Sequence, residues 1–227
     1  MRERSGNRVI MEASNTGLPF GHELFSSAYR ERIQRVLPTL FNMVELENRR
    51  GNKLGMEVGT ARERVLIALF MYVYGSGSVE FPPSTSPELD VLINKQPLSI
   101  KTKSSQGLTG VKLVWTVDWD KIDQFLASYM PASHLLYINI IWGETGRLFL
   151  IPRHVQQAVL QALTVDIYTK VPPRGTNPRG VELSKTAMQF LQTHKDTQAL
   201  PIEWKRDRSL LVERVLYDRW IGLWDAL

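Results

Sequence analysis

The chain contains no cysteine, and histidine is scarce as well, with only 4 residues. Without thiols, neither a disulfide framework nor a cysteine-ligated zinc site can form, and we expect a cytoplasmic protein. The histidines show no H-E-x-x-H or H-x-H spacing, so a histidine-rich metal centre is not expected either. These absences argue against the common zinc-dependent classes of protein.

Long hydrophobic runs are also missing. The longest, residues 65–74, is too short to cross a bilayer, which takes about 20 residues. The amino-terminal stretch MRERSGNRVIMEASNTG has no apolar segment of the signal-peptide kind. The chain also lacks the glycine fingerprints of P-loop and dinucleotide folds and the G-x-S-x-G elbow of serine hydrolases. We therefore expect no membrane association, and none of these enzyme classes is indicated.

The composition is that of a globular protein with a mild basic excess. A chain of 227 residues, 43% of them hydrophobic, suits one large domain with a sizeable core. Lys and Arg number 28 against 23 Asp and Glu, which gives a net charge of +5. This excess is compatible with a polyanionic partner.

Residues 87–104, with the sequence PELDVLINKQPLSIKTKS, have the pattern of a β-hairpin. Two short apolar strands, 89–93 and 98–102, flank the polar turn 94–97. The pattern has two interpretations. It is either a functional hairpin or an edge hairpin whose lysines simply face solvent and discourage aggregation.

The functional interpretation depends on four side chains of this hairpin. Asp90 lies in the first strand, and Ser99, Lys101 and Lys103 alternate along the second, so these three share one face of the sheet. An acidic residue and a lysine held close on adjacent strands can bind a divalent metal ion and a phosphate group together.

A helix is predicted just upstream of the hairpin. Thr60 is a plausible N-cap, with Glu63 three positions later in the pattern of a capping box, and the helix should end at Gly75. Glu63 would then be a carboxylate in the first helical turn, next to the apolar stripe. It is either a cap partner or a functional group.

The remaining elements alternate between helices and strands. Apolar spacing predicts further helices at residues 23–36, at 38–46 with Pro38 opening it, at 119–129 with Asp118 or Asp120 as cap, after Pro152, at 183–191 with Ser184 as cap, and at 209–227. Strand patterns lie at residues 78–81, 111–117, 135–142 and 147–151. This order predicts a mixed α/β fold with a central sheet flanked by helices.

Two irregular segments concentrate basic residues, at 48–53 and at 171–180. Arginine is the side chain that forks onto guanine O6 and N7 in the major groove, so these segments are candidates for reading DNA bases. An ordinary solvated loop is the alternative for each. The residues that we expect to contact DNA are Arg49, Arg50, Lys53, Arg64, Lys103, Arg174, Asn177 and Arg179.

Three motifs in the middle of the chain resemble those of the PD-(D/E)xK nuclease superfamily, which includes most type II restriction endonucleases. The G-x-x-x-E-R-x-L pattern that begins at Gly59 is similar to the carboxylate-bearing helix of the archaeal Holliday junction resolvases. The P-E-L-D stretch that ends at Asp90 resembles the P-D of the first strand, with two residues inserted. The S-I-K stretch at 99–101 resembles the (D/E)-x-K strand, with Ser99 in the acidic position.

The resemblance implies a restriction-endonuclease-like α/β core, in which a central mixed five-stranded sheet is flanked by helices, with helical additions at both ends. It further implies one nuclease domain over residues 1–227. We expect a helical amino-terminal arm at 1–56, a catalytic core at 57–165, and a recognition loop with carboxy-terminal helices at 166–227.

The implied activity is Mg²⁺-dependent hydrolysis of double-stranded DNA at specific sites, which leaves 5′-phosphate and 3′-hydroxyl ends. Asp90 and Glu63 would bind the metal together with the backbone carbonyl of Ile100, and Lys101 would orient the attacking water. A twofold homodimer, formed through the terminal helices, would place one such centre on each strand.

Several points stay open at this stage. Lys103 is an alternative to Lys101 as the catalytic lysine, because both share a face with Ser99. Glu63 is the favoured replacement for the acid missing at Ser99, and Glu57, Asp118 and Asp120 are weaker candidates. A structure-specific nuclease, such as a junction resolvase or repair enzyme, and a non-catalytic DNA-binding protein are the alternative functions.

Overall fold

The computed structural model describes residues 20–50, 53–54, 57–82, 88–104, 106–108, 110–176, 179–207, 221 and 224. The expected amino-terminal arm before residue 20, Asn177 and most of the predicted helix at 209–227 lie outside these described residues. No helix in the described part of the chain is long and apolar enough to cross a membrane.

A six-stranded mixed sheet forms the centre of the fold. In chain order its strands are β3 (Val79–Glu80), β4 (Val91–Ile93), β5 (Gln96–Lys103), β7 (His134–Asn139), β8 (Thr145–Ile151) and β11 (Gln198–Glu203). Their spatial order is β11-β8-β7-β5-β4-β3. The β5–β7 pair is parallel and the other pairs are antiparallel, as a mixed sheet requires.

The central sheet has six strands where the resemblance implied five, and β11 was not predicted as a strand. Its sequence, QALPIE, contains Pro201, which lacks the N–H that a central strand needs. β11 lies at the edge of the sheet, where it pairs with β8 alone, so the missing donor is tolerated. The segment for which only a loop and helices were predicted thus contributes an edge strand to the core.

The hairpin of β4 and β5 is tighter than predicted. Ile93 pairs with Gln96, so the turn consists of Asn94 and Lys95 alone. Both turn residues have positive φ, 49° and 64°, which is the backbone of a two-residue type I′ turn. Asparagine tolerates this conformation better than most residues.

A second, three-stranded sheet packs beside the first. It consists of β6 (Lys112–Val114), β9 (Thr169–Lys170) and β10 (Val181–Leu183) in the order β6-β10-β9, so the predicted strand at 111–117 belongs here and not to the central sheet. Gly180 precedes β10 with φ 91°, and a Cβ atom there would lie 2.0 Å from the carbonyl oxygen of Val114. Only glycine allows this close approach of the 171–180 loop to β6.

The first helix, α1 (Ser27–Glu47), runs without interruption through Pro38, where the sequence predicted the start of a separate helix. Ile33, Leu37 and Phe41 lie on one buried stripe on both sides of the proline. The packing of this stripe stabilises a continuous helix although proline removes one backbone hydrogen bond.

The second helix, α2 (Val58–Tyr74), begins before Thr60, so the predicted cap was wrong. Glu57 is the N-cap residue and makes no side-chain cap bond, which places Glu63 in the second turn and not in the first. The helix ends as predicted at Gly75, whose φ is 87°.

The later helices follow the predicted caps. Asp118 begins α3 (Trp119–Ser128) by accepting a hydrogen bond from the Asp120 backbone N–H at 2.9 Å. Ser184 caps α5 (Lys185–Thr193) through the Ala187 N–H at 3.0 Å. Between them lies α4 (Arg153–Tyr168).

Hydrophobic residues are buried on both faces of the central sheet. In β7, Leu136 and Ile138 belong to the cluster packed against α1 and α2, whereas Leu135 and Tyr137 belong to the cluster packed against α4 and α5. This burial on two sides explains the nearly continuous apolar run at residues 135–142.

Candidate active site

The candidate site lies where β5 extends beyond its partner β4. The last paired residues are Val91 and Leu98, after which the edge of β5 is no longer covered by β4. The Ile100 N–H at this edge donates to the Asp90 carboxylate, Oδ2, at 2.6 Å. The side chain of Asp90 thus satisfies a donor that a neighbouring strand would otherwise have to satisfy.

Two side chains of β5 reach the same oxygen of Asp90. The Ser99 hydroxyl donates to Oδ2 at 3.2 Å, and the Lys101 ammonium lies 3.4 Å from it. Ser99 is 5% exposed, while Asp90 and Lys101 are partly open to solvent. The hairpin therefore holds Asp90, Ser99 and Lys101 around one point.

Glu63 approaches this group from α2. Its side chain is half-buried, and burial is the main cause that raises its pKa above the usual range. The negative charge of Asp90 raises the pKa further, and the positive charge of Lys101 opposes both effects. Glu63 is thus within electrostatic range of both residues, and together with Lys101 it lines an open cleft of about 280 Å³.

Glu88 is a fourth charged residue of the site, and the sequence analysis did not select it. Burial raises the pKa of its carboxyl to about 7, opposed by a hydrogen bond from the Tyr129 hydroxyl and by the charge of Lys101, and assisted by Asp90. The Tyr129 hydroxyl donates to Oε1 at 3.1 Å. The only signal in the sequence was an acidic residue two positions before Asp90, because Tyr129 comes from the distant α3.

Lys103 lines the same cleft, but its ammonium donates to the carbonyl of Gly107 at 2.7 Å. Burial lowers its pKa. It therefore helps to hold the loop that follows β5, whereas Lys101 faces the carboxylates.

Comparison with known proteins identifies the family of the chain. A family model for the restriction endonuclease ThaI matches residues 26–226. The chain belongs to the ThaI restriction endonuclease family. It is therefore a type II restriction endonuclease, an enzyme that hydrolyses the phosphodiester bonds of DNA, and the two alternative functions are set aside.

A solved structure supports the same assignment for the fold. It is titled "Restriction endonuclease in complex with substrate DNA" and is 40% identical to this chain, with a TM-score of 0.81. The alignment covers 91% of this chain and 99% of that one. No curated protein matches the chain.

In this ThaI-family chain, the weaker candidates to replace the acidic residue missing at Ser99 lie at the starts of helices. Glu57 is exposed at the N-cap of α2. The Asp118 carboxylate is used in the cap of α3, and Asp120 is exposed and interacts electrostatically with Arg174.

The residues expected to contact DNA are spread over several elements. Arg64 is exposed on α2 beside Glu63. The basic segment at 48–53 is not a simple loop, because β1 (Arg49–Arg50) and β2 (Lys53–Leu54) pair as a short antiparallel ladder.

The other basic segment, residues 171–180, is held by contacts with neighbouring elements. Arg174 is exposed, pairs with Asp123 at 2.6 Å, and stacks on Trp119 with its guanidinium carbon 4.3 Å from the ring centre. The backbone carbonyl of Arg179 accepts a hydrogen bond from the Lys112 ammonium at 2.6 Å.

The carboxylates of the candidate site can be tested against the needs of a divalent metal ion. Among the described residues, no three Asp, Glu, His or Cys side chains lie close enough to hold a metal ion together. Mg²⁺ takes only one or two protein carboxylates and fills its remaining positions with water and phosphate oxygens. Asp90 and Glu63, which interact electrostatically, match that requirement.

Proposed function

We propose that this restriction endonuclease cleaves both strands of a specific duplex site by Mg²⁺-dependent hydrolysis at the open edge of β5. The observation that carries the proposal is the 3.4 Å approach of the Lys101 ammonium to the Asp90 carboxylate, beside the Glu63 cleft. Restriction endonucleases generally use a divalent metal ion, and the lack of cysteine supports a cytoplasmic enzyme.

Asp90 and Glu63 are the proposed metal ligands, with the carbonyl of Ile100 as a third donor. A bound Mg²⁺ supplies Lewis acidity, which lowers the pKa of a coordinated water and offsets charge that develops on the phosphate. The two carboxylates can supply the negative charge that such an ion requires, and a cation beside the half-buried Glu63 would favour its ionised form.

Lys101 is the proposed catalytic lysine. Its ammonium lies among the carboxylates and can both orient the attacking water and stabilise the pentavalent phosphorus by its charge. Lys103, which is bonded to the Gly107 carbonyl, is better placed to approach the DNA backbone as the strand enters the cleft. We expect hydrolysis to break the bond to the 3′ oxygen and to leave a 5′-phosphate and a 3′-hydroxyl.

Base recognition is proposed for the loop that contains Arg174 and Arg179 and for the hairpin of β1 and β2. Arg174 is exposed, and its ion pair with the exposed Asp123 is of the surface kind that contributes little stability, so Asp123 can be exchanged for a DNA phosphate or base at little cost. Two copies of the chain, related by a twofold axis, would read a palindromic site and cut one strand each.

The test of the centre is Asp90→Asn, which keeps the shape of the side chain but removes its charge. We expect DNA cleavage in Mg²⁺ to be lost, while affinity for the duplex in Ca²⁺ remains measurable. Asp196→Asn, at an exposed position, is the matched control and should cleave normally. Cleavage by Asp90→Asn at the wild-type rate would remove Asp90 from the centre.

The specificity is tested separately with phage DNA. Incubation in Mg²⁺ followed by sequencing of the fragment ends should give one shared sequence at every cut, with 5′-phosphates. Random ends would contradict sequence-specific cleavage.

A further inference from the structure

We infer that Glu88 replaces the carboxylate that the superfamily pattern places at position 99, where this chain has a serine. Glu88 would hold the Lys101 ammonium in position while Asp90 binds the metal. Glu88 would be a positioning residue, since it acts through Lys101. This inference rests on the role proposed above for Lys101.

Glu88 lies beside Ser99 and Lys101. Glu88, Ser99 and Lys101 line one small cavity of about 10 Å³, the space of a single water molecule. Lys101 also lines the open cleft that contains Glu63. Lys101 therefore lines both spaces, and Glu88 and Ser99 line the smaller one with it.

The backbone and α3 hold Glu88 in this place. Its φ is 53°, in the left-handed region that non-glycine residues rarely adopt because of its conformational cost. Such a conformation persists only where the surroundings enforce it. The Tyr129 hydroxyl donates to the carboxylate at 3.1 Å, and the Tyr129 ring packs 4.6 Å from that of Phe125.

The charges around Lys101 indicate why a second carboxylate is needed beside it. Asp90 Oδ2 accepts hydrogen bonds from the Ile100 N–H, the Ser99 hydroxyl and the Lys101 ammonium. A divalent cation on that carboxylate repels the ammonium, so Lys101 needs another anionic partner. Glu88 interacts electrostatically with Lys101 and lies in the cavity on its other side.

A role as a third metal ligand is less well supported. The described residues contain no cluster of three acidic or histidine side chains close enough to share an ion. The hydrogen bond from Tyr129 also keeps one oxygen of Glu88 occupied.

The experiment is a double-mutant cycle between Glu88 and Lys101. Glu88→Gln keeps an acceptor for Tyr129 but removes the charge, and Tyr129→Phe, the matched control, removes the hydrogen bond and keeps the charge. Single-turnover cleavage of saturating duplex is measured in Mg²⁺, DNA affinity in Ca²⁺, and melting temperature without metal.

We expect Glu88→Gln to slow cleavage by about 100-fold, the size of effect that a displacement of about 1 Å produces. DNA affinity and melting temperature should not change. In the Lys101→Met background, Glu88→Gln should change the residual rate by less than about twofold, because the ammonium that Glu88 positions is absent. Tyr129→Phe should have the smaller effect of the two single variants.

A second variant returns a carboxylate to the position that the superfamily pattern assigns to it. Ser99→Asp in the Glu88→Gln background should regain at least about tenfold in rate. The inference is overturned by Glu88→Gln cleaving at the wild-type rate, by an equal loss in the Lys101→Met background, or by a double variant as slow as Glu88→Gln alone. Wild-type cleavage by Lys101→Met would instead overturn the proposed function.

Discussion

Two lysines of β5 illustrate how single residues on one face acquire different tasks. Lys101 and Lys103 are two positions apart, so their side chains leave the strand on the same side. The Lys101 ammonium lies 3.4 Å from Asp90, whereas that of Lys103 donates to the Gly107 carbonyl at 2.7 Å. We attribute the difference to the end of β4, which leaves only the nearer lysine beside Asp90.

This difference predicts that one of two matched substitutions lowers the cleavage rate and that the other weakens DNA affinity. Lys101→Met should lower the single-turnover rate by a factor on the order of 10²–10³, the loss measured for one electrostatic donor in a transition state. Lys103→Met should mainly weaken DNA affinity and leave the rate at saturating DNA within about tenfold. The reverse order of effects would assign catalysis to Lys103.

At the scale of elements, a buried ion network joins α1 and α2. Glu45 of α1 is fully buried and accepts hydrogen bonds from Arg62 of α2, from the Trp142 indole N–H at 2.9 Å and from Arg206 at 2.7 Å. Burial lowers the pKa of Arg62, although the Glu45 charge opposes this effect. Arg62 also donates to Ser104 at 2.7 Å, which ties α2 to the end of β5. The network thus fixes the helix that carries Glu63 against the strand that carries Lys101.

Removing the central charge should therefore destabilise the fold strongly. Glu45→Gln leaves two arginines without a counter-ion, and we expect the free energy of unfolding to fall by about 3–5 kcal/mol. The exposed Glu47→Gln on the same helix is the control and should change stability by less than about 0.5 kcal/mol. Urea denaturation measures both. Equal stabilities for the two variants would show that the network contributes little.

At the scale of the whole molecule, the proposed twofold dimer would place one centre on each DNA strand. Ile221 and Trp224 are large apolar residues of the carboxy-terminal segment, and they are 50% and 85% exposed in the single chain. Exposed apolar side chains of this size are typical of protein interfaces. A second copy of the chain is the partner in the twofold arrangement proposed above, so we assign these residues to the proposed dimer surface.

We expect light scattering with a short cognate duplex in Ca²⁺ to give two chains per duplex. Trp224→Glu should weaken that assembly by at least about tenfold, because it places a charge in an apolar contact. Phe190→Glu, at an exposed apolar position on α5, is the control and should not affect assembly. One chain per duplex, with both strands still cut in a single encounter, would contradict the dimer.

The sequence by itself determined the parts of this protein that depend on near neighbours in the chain. The hairpin around Asn94, the caps at Asp118 and Ser184, and the motifs that pointed to a restriction endonuclease all arise from spacing within a few residues. Short-range backbone preferences suffice for these features, so they could be predicted. The assignment of each site residue to a catalytic role stays a prediction, as do the domain boundaries.

Only the tertiary structure decided where distant segments meet. It joined the edge strand at Pro201 to β8, kept α1 continuous through Pro38, and placed Glu88 between Tyr129 and Lys101. In each case the deciding interaction comes from residues far away along the chain, whose packing outweighs the local preference. The sequence shows Glu88 only as a carboxylate two residues before Asp90. Its burial and its neighbours Tyr129 and Lys101 come from other elements, so its proposed role could not be predicted.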